Sequence, residues 1–308
     1  MDATRSFLRS IDLPAGDAGE LPDSSKRFPD GASLRIEIPS TEGPRALEAV
    51  LEESAKRDVP IHRVSQGSGV FLLTDAELDE MAQIARDAEV EVSLFARPTA
   101  SWGPSAGIGP AVAAAVHGQD GLVHALDDVR RAAEHGIRSV LITDVGVLDV
   151  FREMRDRGVV PRDMQAKMSV MFPTANAATA RVLVRLGANT LNVLTDLSLA
   201  ELAAIREAVD VPIDFYIEAP DDVGGFVRLH DLPDLIRVAA PVYVKFGLRN
   251  APNVYPSGTH LEPSVIALSR ERVRRAQLAL EMLERSGSAA EMSERGAHDL
   301  AIPVIAAP

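Results

Sequence analysis

The chain has 308 residues, of which 46% are apolar and 25% charged, the proportions of a globular protein that folds in water. A formal net charge of −13 argues against broad nucleic-acid binding, which needs basic surface to displace counterions. No run approaches the roughly 18 apolar residues of a membrane span, and the lack of cysteine removes disulfides, thiolate ligands and cysteine nucleophiles.

The first 32 residues are rich in Pro, Gly, Asp and Ser and lack a clear period, so they read as an extension over the main domain or as partly disordered. The opening stretch MDATRSFLRSIDLPAGDAGE has no basic-then-apolar leader pattern, and a cytoplasmic location is expected. From residue 33, β-branched runs alternate with segments of helical period. The strands are expected at 33–39, 61–66, 91–97, 139–145, 167–172, 190–196, 212–218 and 241–247. Thr74 with Glu77, and Ser198 with Glu201, have the spacing of a capping box at a helix start. Gly136 and Gly187 follow helical runs, where a left-handed residue closes the helix.

Eight strand–helix units in about 250 residues predict a parallel (β/α)8 TIM-type barrel over 33–286, with an open doubly wound sheet as the alternative. No G-x-G-x-x-G follows the first strand, so nothing supports a dinucleotide fold. The segment 98–122 holds the single tryptophan, Trp102, and is long and glycine-rich for a βα connection. It reads as a lid or binding loop. Residues 287–308 form a C-terminal tail whose last residues are apolar enough to dock.

Alternate side chains on a strand face opposite ways. The apolar set of each strand must meet the helices, which points the polar set inward: Arg35 and Glu37, Lys167 and Ser169, Asp214, Tyr216 and Glu218, Tyr243 and Lys245. Only four lysines stand against 28 arginines, and two of the four, Lys167 and Lys245, fall on this lining. Buried charges persist only when paired, so an ion-pair network accounts for residues low in the strands. Those near the C-terminal strand ends, where barrel active sites lie, are candidates for chemistry.

We therefore expect Lys245, Lys167, Glu218, Tyr216 and Glu37 to be catalytic. Arg249, Asn250, Tyr255, Ser257 and Thr259, beyond strand 8, are expected to bind an anionic substrate group. His62 and Gln66 after strand 2, Arg97 after strand 3 and Asn192 on strand 6 complete the expected binding set. Glu37, His62 and Glu218 could in principle hold a divalent metal. No H-x-H or H-E-x-x-H spacing supports one, so no cofactor is expected.

Two segments resemble the U32 peptidase family, sometimes described as collagenase-like. In ANAATARVLVRLGANTLNVLTDLSLAELAAIREAVDVPIDFYIEA (175–219), Asn176, Leu186, Gly187, Leu197, Ser198, Leu199 and Glu201 match the family pattern. In VKFGLRNAPNVY, Lys245, Arg249, Pro252 and Tyr255 match a Lys-Ile-Glu-Gly-Arg element followed by Pro-x-Tyr, with one residue inserted. The resemblance implies a TIM barrel and a cysteine-free, divergent member. Glu218 stands near the family's histidine, and Thr195-Asp196 replace its Arg-Glu pair. Without cysteine ligands, the iron–sulfur hydroxylase chemistry of some members is not expected.

Three functions remain open. The first is a lyase-type enzyme acting on a small anionic carbonyl compound by lysine and acid–base chemistry. The second is a peptidase or hydrolase using a carboxylate- or metal-activated water. The third is a non-catalytic metabolite-binding barrel. The expected partner in each is a small molecule, not nucleic acid or membrane, and a homodimer suits an acidic barrel of this size.

Overall fold

The computed structural model describes residues 2–17, 20–103 and 114–305. Eight parallel strands close into a barrel in strict chain order: β1 (Leu34–Pro39), β2 (Arg63–Ser65), β3 (Glu91–Phe95), β4 (Ser139–Ile142), β5 (Gln165–Met168), β6 (Thr190–Asn192), β7 (Ile213–Glu218) and β8 (Val242–Phe246). The closing β1–β8 pairing sets Glu37 beside Lys245. This is the (β/α)8 TIM architecture, not the open sheet.

Helix α1 (Asp2–Ser10) precedes the barrel. Around it lie α2 (Pro44–Arg57), α3 (Asp75–Asp87), α4 (Gly118–Glu134), α5 (Val145–Asp156), α6 (Ala177–Arg185), α7 (Leu199–Ala208), α8 (Leu232–Ala239) and α9 (Glu262–Ser286). The start signals act as their chemistry requires. Thr74 Oγ1 accepts the Glu77 amide at 3.3 Å while Glu77 Oε2 accepts the Thr74 amide at 2.8 Å. Ser198 and Glu201 do the same at the start of α7, at 3.2 and 2.7 Å. Gly136 and Gly187 adopt φ of 85° and 102°, the left-handed closures expected of them.

The apolar core lies between the outer strand faces and the helices, with Ile36, Val64, Leu94, Val140, Phe215 and Val244 buried in it. The strands are shorter than their apolar runs suggest. β5 starts at Gln165 and ends at Met168, because Ser169 Oγ accepts the Met171 amide at 3.2 Å and turns the chain.

Both termini cover the barrel's N-terminal end. In the tail, Ser293 donates its amide to Leu34 O at 3.1 Å and Asp299 binds the Arg35 guanidinium at 2.6 Å. From the N-terminal side, Lys26 Nζ caps the carbonyls of Arg206 and Val209 at 2.8 and 2.7 Å. Phe28 stacks beneath Arg35, 4.0 Å from ring centre to guanidinium carbon. The expected extension is thus an ordered strap over its described residues. Of the expected 98–122 loop, 104–113 lie outside the described residues. Thr99–Trp102 form a short 3-10 turn, and from Gly118 the segment is already helix α4.

Candidate functional site

Glu37 is the hub of the barrel interior. Its carboxylate accepts from Arg63 Nε at 2.7 Å, from Ser65 Oγ at 2.7 Å and from Lys167 Nζ through both oxygens, and lies 3.2 Å from Lys245 Nζ. Arg63 also meets Asp214 at 2.6 Å and stacks on the Tyr243 ring at 3.6 Å. Burial alone would raise the Glu37 carboxyl, but Arg63, Lys167 and Lys245 together hold it well below the usual carboxylate range. Lys167 is pushed down to about 7 by burial and by the charges of Arg63 and Lys245.

Above this layer the barrel opens into a cavity of about 330 Å³ at the C-terminal strand ends. Lys245, only 2% exposed, lies on its floor. Among the described residues its amine forms an ion pair with Glu37 and meets Asn192, whose amide oxygen accepts at 2.8 Å in the orientation its neighbours require. The Tyr216 ring lies 4.3 Å from Nζ. Burial and the Glu37 charge push the Tyr216 phenol up, so it keeps its proton across the physiological range.

The cavity wall holds Arg97, Gln66 and Tyr255. Arg97 has the same strand parity as Glu91, Ser93 and Phe95, which turns it inward. It is 9% exposed, donates to Gly67 O at 2.7 Å and lies 4.3 Å from the Trp102 ring. Tyr255 shares a short hydrogen bond with Ser40, and its ring lies so close to Gly67 that a Cβ there would meet it at 2.5 Å. Glycine is required at 67 by that approach.

The structure thus brings together Lys245, Tyr216, Asn192, Arg97, Gln66 and Tyr255, with Glu37 and Lys167 directly beneath. It takes other expected residues elsewhere. Glu218 leaves the lining because β7 slips register after Tyr216, so that Glu218 pairs with outward-facing Phe246. Its carboxylate meets Arg275 of α9 at 3.1 Å and the Arg249 amide at 3.1 Å. His62 precedes β2 and lies at the opposite end of the barrel from the rim. Its Nδ1 accepts the Ile36 amide at 3.0 Å and its Nε2 donates to Ser293 O at 2.8 Å.

Arg249 and Asn250 are exposed on the loop beyond β8. The first pairs with Asp221 at 3.4 Å and the second donates its amide to Asp221 at 2.8 Å. Ser257 and Thr259 border a separate small cleft together with Glu42, Glu77 and Glu262. Arg45 lines the same cleft beside these three carboxylates. The three donors imagined for a metal are likewise far from forming a set: Glu37 is consumed by three cations, His62 lies at the bottom and Glu218 faces α9. Among the described residues no cluster of three His, Asp or Glu side chains is placed to hold a metal.

Arg63 was absent from the expected set, although it does most to organise the lining. The signal was present: Val64 faces the helices, so Arg63 and Ser65 must face inward and His62 cannot share their side.

Residues 111–219 match the family model for peptidase family U32. The resemblance holds there. The U32 segment runs to the end of β7 and so supplies Lys167, Asn192 and Tyr216. Lys245 and the β8 loop lie beyond it. The comparison with curated proteins finds no match. Among solved structures, similar chains include one from Coccidioides immitis assigned as a fructose-1,6-biphosphate aldolase, with a TM-score of 0.51, 12% identity and coverage of 83% of this chain and 94% of that one. The U32 peptidase Mk0906 gives 0.41 and 16%, covering 66% and 73%. A truncated 3-deoxy-D-arabino-heptulosonate 7-phosphate synthase from Thermotoga maritima gives 0.46 and 13%, covering 88% and 95%. At these identities the likeness concerns the fold.

Proposed function

We propose that the chain is a U32-like barrel enzyme that acts on a small anionic carbonyl compound through the amine of Lys245. The observation that carries this reading is the position of that amine: on the floor of the cavity at the C-terminal strand ends, where Glu37 and the Asn192 amide oxygen are its polar neighbours among the described residues. In the first step the neutral amine adds to the carbonyl carbon and the carbonyl oxygen takes a proton from Tyr216. The nitrogen then returns a proton to Tyr216, and the hydroxyl takes up the proton that Lys245 had shed to the Glu37–Lys167 pair and leaves as water, which leaves an iminium on Nζ. Glu37 bridges Lys245 and Lys167, and Lys167 exchanges its proton near neutrality, which supplies a route for the proton the amine must shed.

A hydrolase that activates water with a carboxylate has less support. Glu37 is held as an anion by three cations, and Glu218 faces a helix. Asp222 is the carboxylate on the cavity wall among the described residues, and it would have to serve alone.

The test is borohydride reduction of the purified protein in the presence of pooled keto acids and sugar phosphates, followed by intact mass and peptide mapping. An adduct on Lys245 is expected, lost in Lys245→Ala and not restored by Lys245→Arg, whose guanidinium forms no imine. An adduct mapped to Lys167 alone would move the chemistry one layer down. No adduct from any pool would remove the reading.

A further inference from the structure

Beyond β8, Arg249 already pairs with Asp221, and Ser257 and Thr259 border a cleft lined by three glutamates and Arg45, which leaves open what holds the charged end of a substrate. Each buried arginine in the barrel can be asked what neutralises it. Arg35 has Asp299, and Arg63 has Glu37 and Asp214. Arg206 gives its donors to carbonyls at the ends of α7 and α8. Arg272 donates to Ser40 O and, like Arg206, keeps its Nε buried without a partner among the described residues. Arg97 differs from these in facing the cavity. No carboxylate lies within 4.0 Å of it among the described residues, and its Nε is buried without a partner.

A guanidinium that is nine-tenths buried and lacks a counter-charge is costly to keep unless something supplies one. The surroundings keep it in place rather than neutralise it. Trp102 and Phe95 flank the fork at 4.3 and 5.1 Å, and Gly67 O takes one donor. Gly69, at φ 118°, passes so close that a Cβ there would meet Arg97 Cβ at 3.2 Å. The fork is thus fixed in orientation with donors to spare. Its wall is also cationic in an acidic protein: the cavity carries Arg97 and Lys245 against Asp222, while the whole chain carries −13. Such a local field gathers small anions from solution.

We infer that Arg97 is the residue that receives the oxyanion of the substrate, a carboxylate or a phosphate monoester, while the carbonyl of the same molecule faces Lys245. This rests on the reading of the cavity as a reaction site and adds to it the specificity for charge. Arg97 is then a binding residue that discriminates anionic from neutral carbonyl compounds.

Two probes separate the oxyanions, and a third separates this inference from the chemistry of Lys245. Titration calorimetry with pyruvate and with inorganic phosphate on the wild-type chain should show binding of at least one, and the one that binds names the oxyanion. Arg97→Met keeps the length of the side chain against Trp102 and removes the charge. It should weaken that binding by about tenfold or more, and Arg97→Lys should recover part. Arg97→Gln, which can still donate to Gly67 O, gives the same comparison if the methionine variant does not fold. Borohydride trapping with pyruvate and with neutral propanal then reads the reaction. The pyruvate adduct should fall in Arg97→Met while the propanal adduct stays, whereas a merely structural arginine would lower both or neither. Equal anion affinity in wild type and Arg97→Met, or no binding of either anion to the wild type, overturns the inference. If anion binding depends on Arg97 but neither carbonyl compound gives an adduct, the Lys245 reading fails and the Arg97 assignment stands.

Discussion

Lys245 sits in a network balanced charge for charge, with Arg63, Lys167 and itself facing Glu37, Asp214 and Glu91. That balance explains how a lysine can occupy the middle of a buried strand: the penalty for burying each ion is offset by a partner within a few ångströms. His62 solves the same problem by staying neutral. Burial pushes it down to about 4, and its two nitrogens are already committed to the Ile36 amide and the Ser293 carbonyl. Protonation would place a second donor against an amide N–H. Unfolded, this histidine takes up its proton near its ordinary value of about 6.5, whereas folded it stays neutral until about 4. The unfolded chain therefore binds more protons throughout that window, and stability must fall as the pH falls through it. The loss is on the order of 3 kcal/mol between pH 6.5 and 4. Denaturant melts at pH 7 and pH 4.5 should show it, and His62→Gln should flatten the difference. An unchanged slope in the variant would assign the acid sensitivity elsewhere.

At the level of elements, the alternation of β-branched runs with helical periods was enough to predict the closed barrel, because each strand buries its outer face against a helix. Period-2 parity also placed Lys245, Lys167, Tyr216 and Asp214 correctly on the inside. It failed where the backbone departs from the period. The slip in β7 carries Glu218 to the helical side, and no residue of IDFYIEA announces it. His62 was misplaced for a simpler reason, since its parity follows Val64 and its position precedes the strand. The loop beyond β8 was read from its small residues alone, yet its surroundings come from Glu42 and Glu77 far away in sequence. The position of Glu218 makes its own prediction. Glu218→Gln keeps an acceptor for the Arg249 amide and gives up the ion pair with Arg275, which is one-third exposed. It should cost about 1 kcal/mol, a fall of roughly 2–4 °C in melting temperature, with trapping at Lys245 unchanged. A variant that melts normally but no longer traps would return Glu218 to the reaction.

At the scale of the whole molecule, the two ends of the barrel divide the labour. The C-terminal end holds the cavity, on whose wall Arg97 Nε has no partner among the described residues. The N-terminal end is sealed by the strap and the tail, which neutralise what the strands leave uncovered. Asp299 meets Arg35, the Ser293 carbonyl meets His62, the Asp299 carbonyl accepts from Gln165, and the Ala301 amide donates to Glu91. The tail thus acts as a plug, and its contribution is electrostatic as well as apolar. Deleting residues 288–308 leaves α9 with Gly287 as its closing residue but strips the buried Arg35 of Asp299, leaving it the more distant Asp30 at 3.6 Å. Breaking a buried pair from one side costs up to roughly 3–5 kcal/mol, and with Asp30 still near Arg35 the truncated chain should melt on the order of 5 °C lower. Asp299→Ala, a milder change, should show a fraction of the same loss if the truncation does not fold. A synthetic peptide of residues 288–308 added to the truncated protein should raise its melting temperature in a concentration-dependent manner, because a ligand that binds only the folded state stabilises it by mass action. The cavity lies at the other end of the strands, so anion affinity measured on the folded fraction should stay within about twofold of the full chain. If the deletion instead abolishes anion binding while leaving the melt unchanged, the tail belongs to the site and not to the foundation.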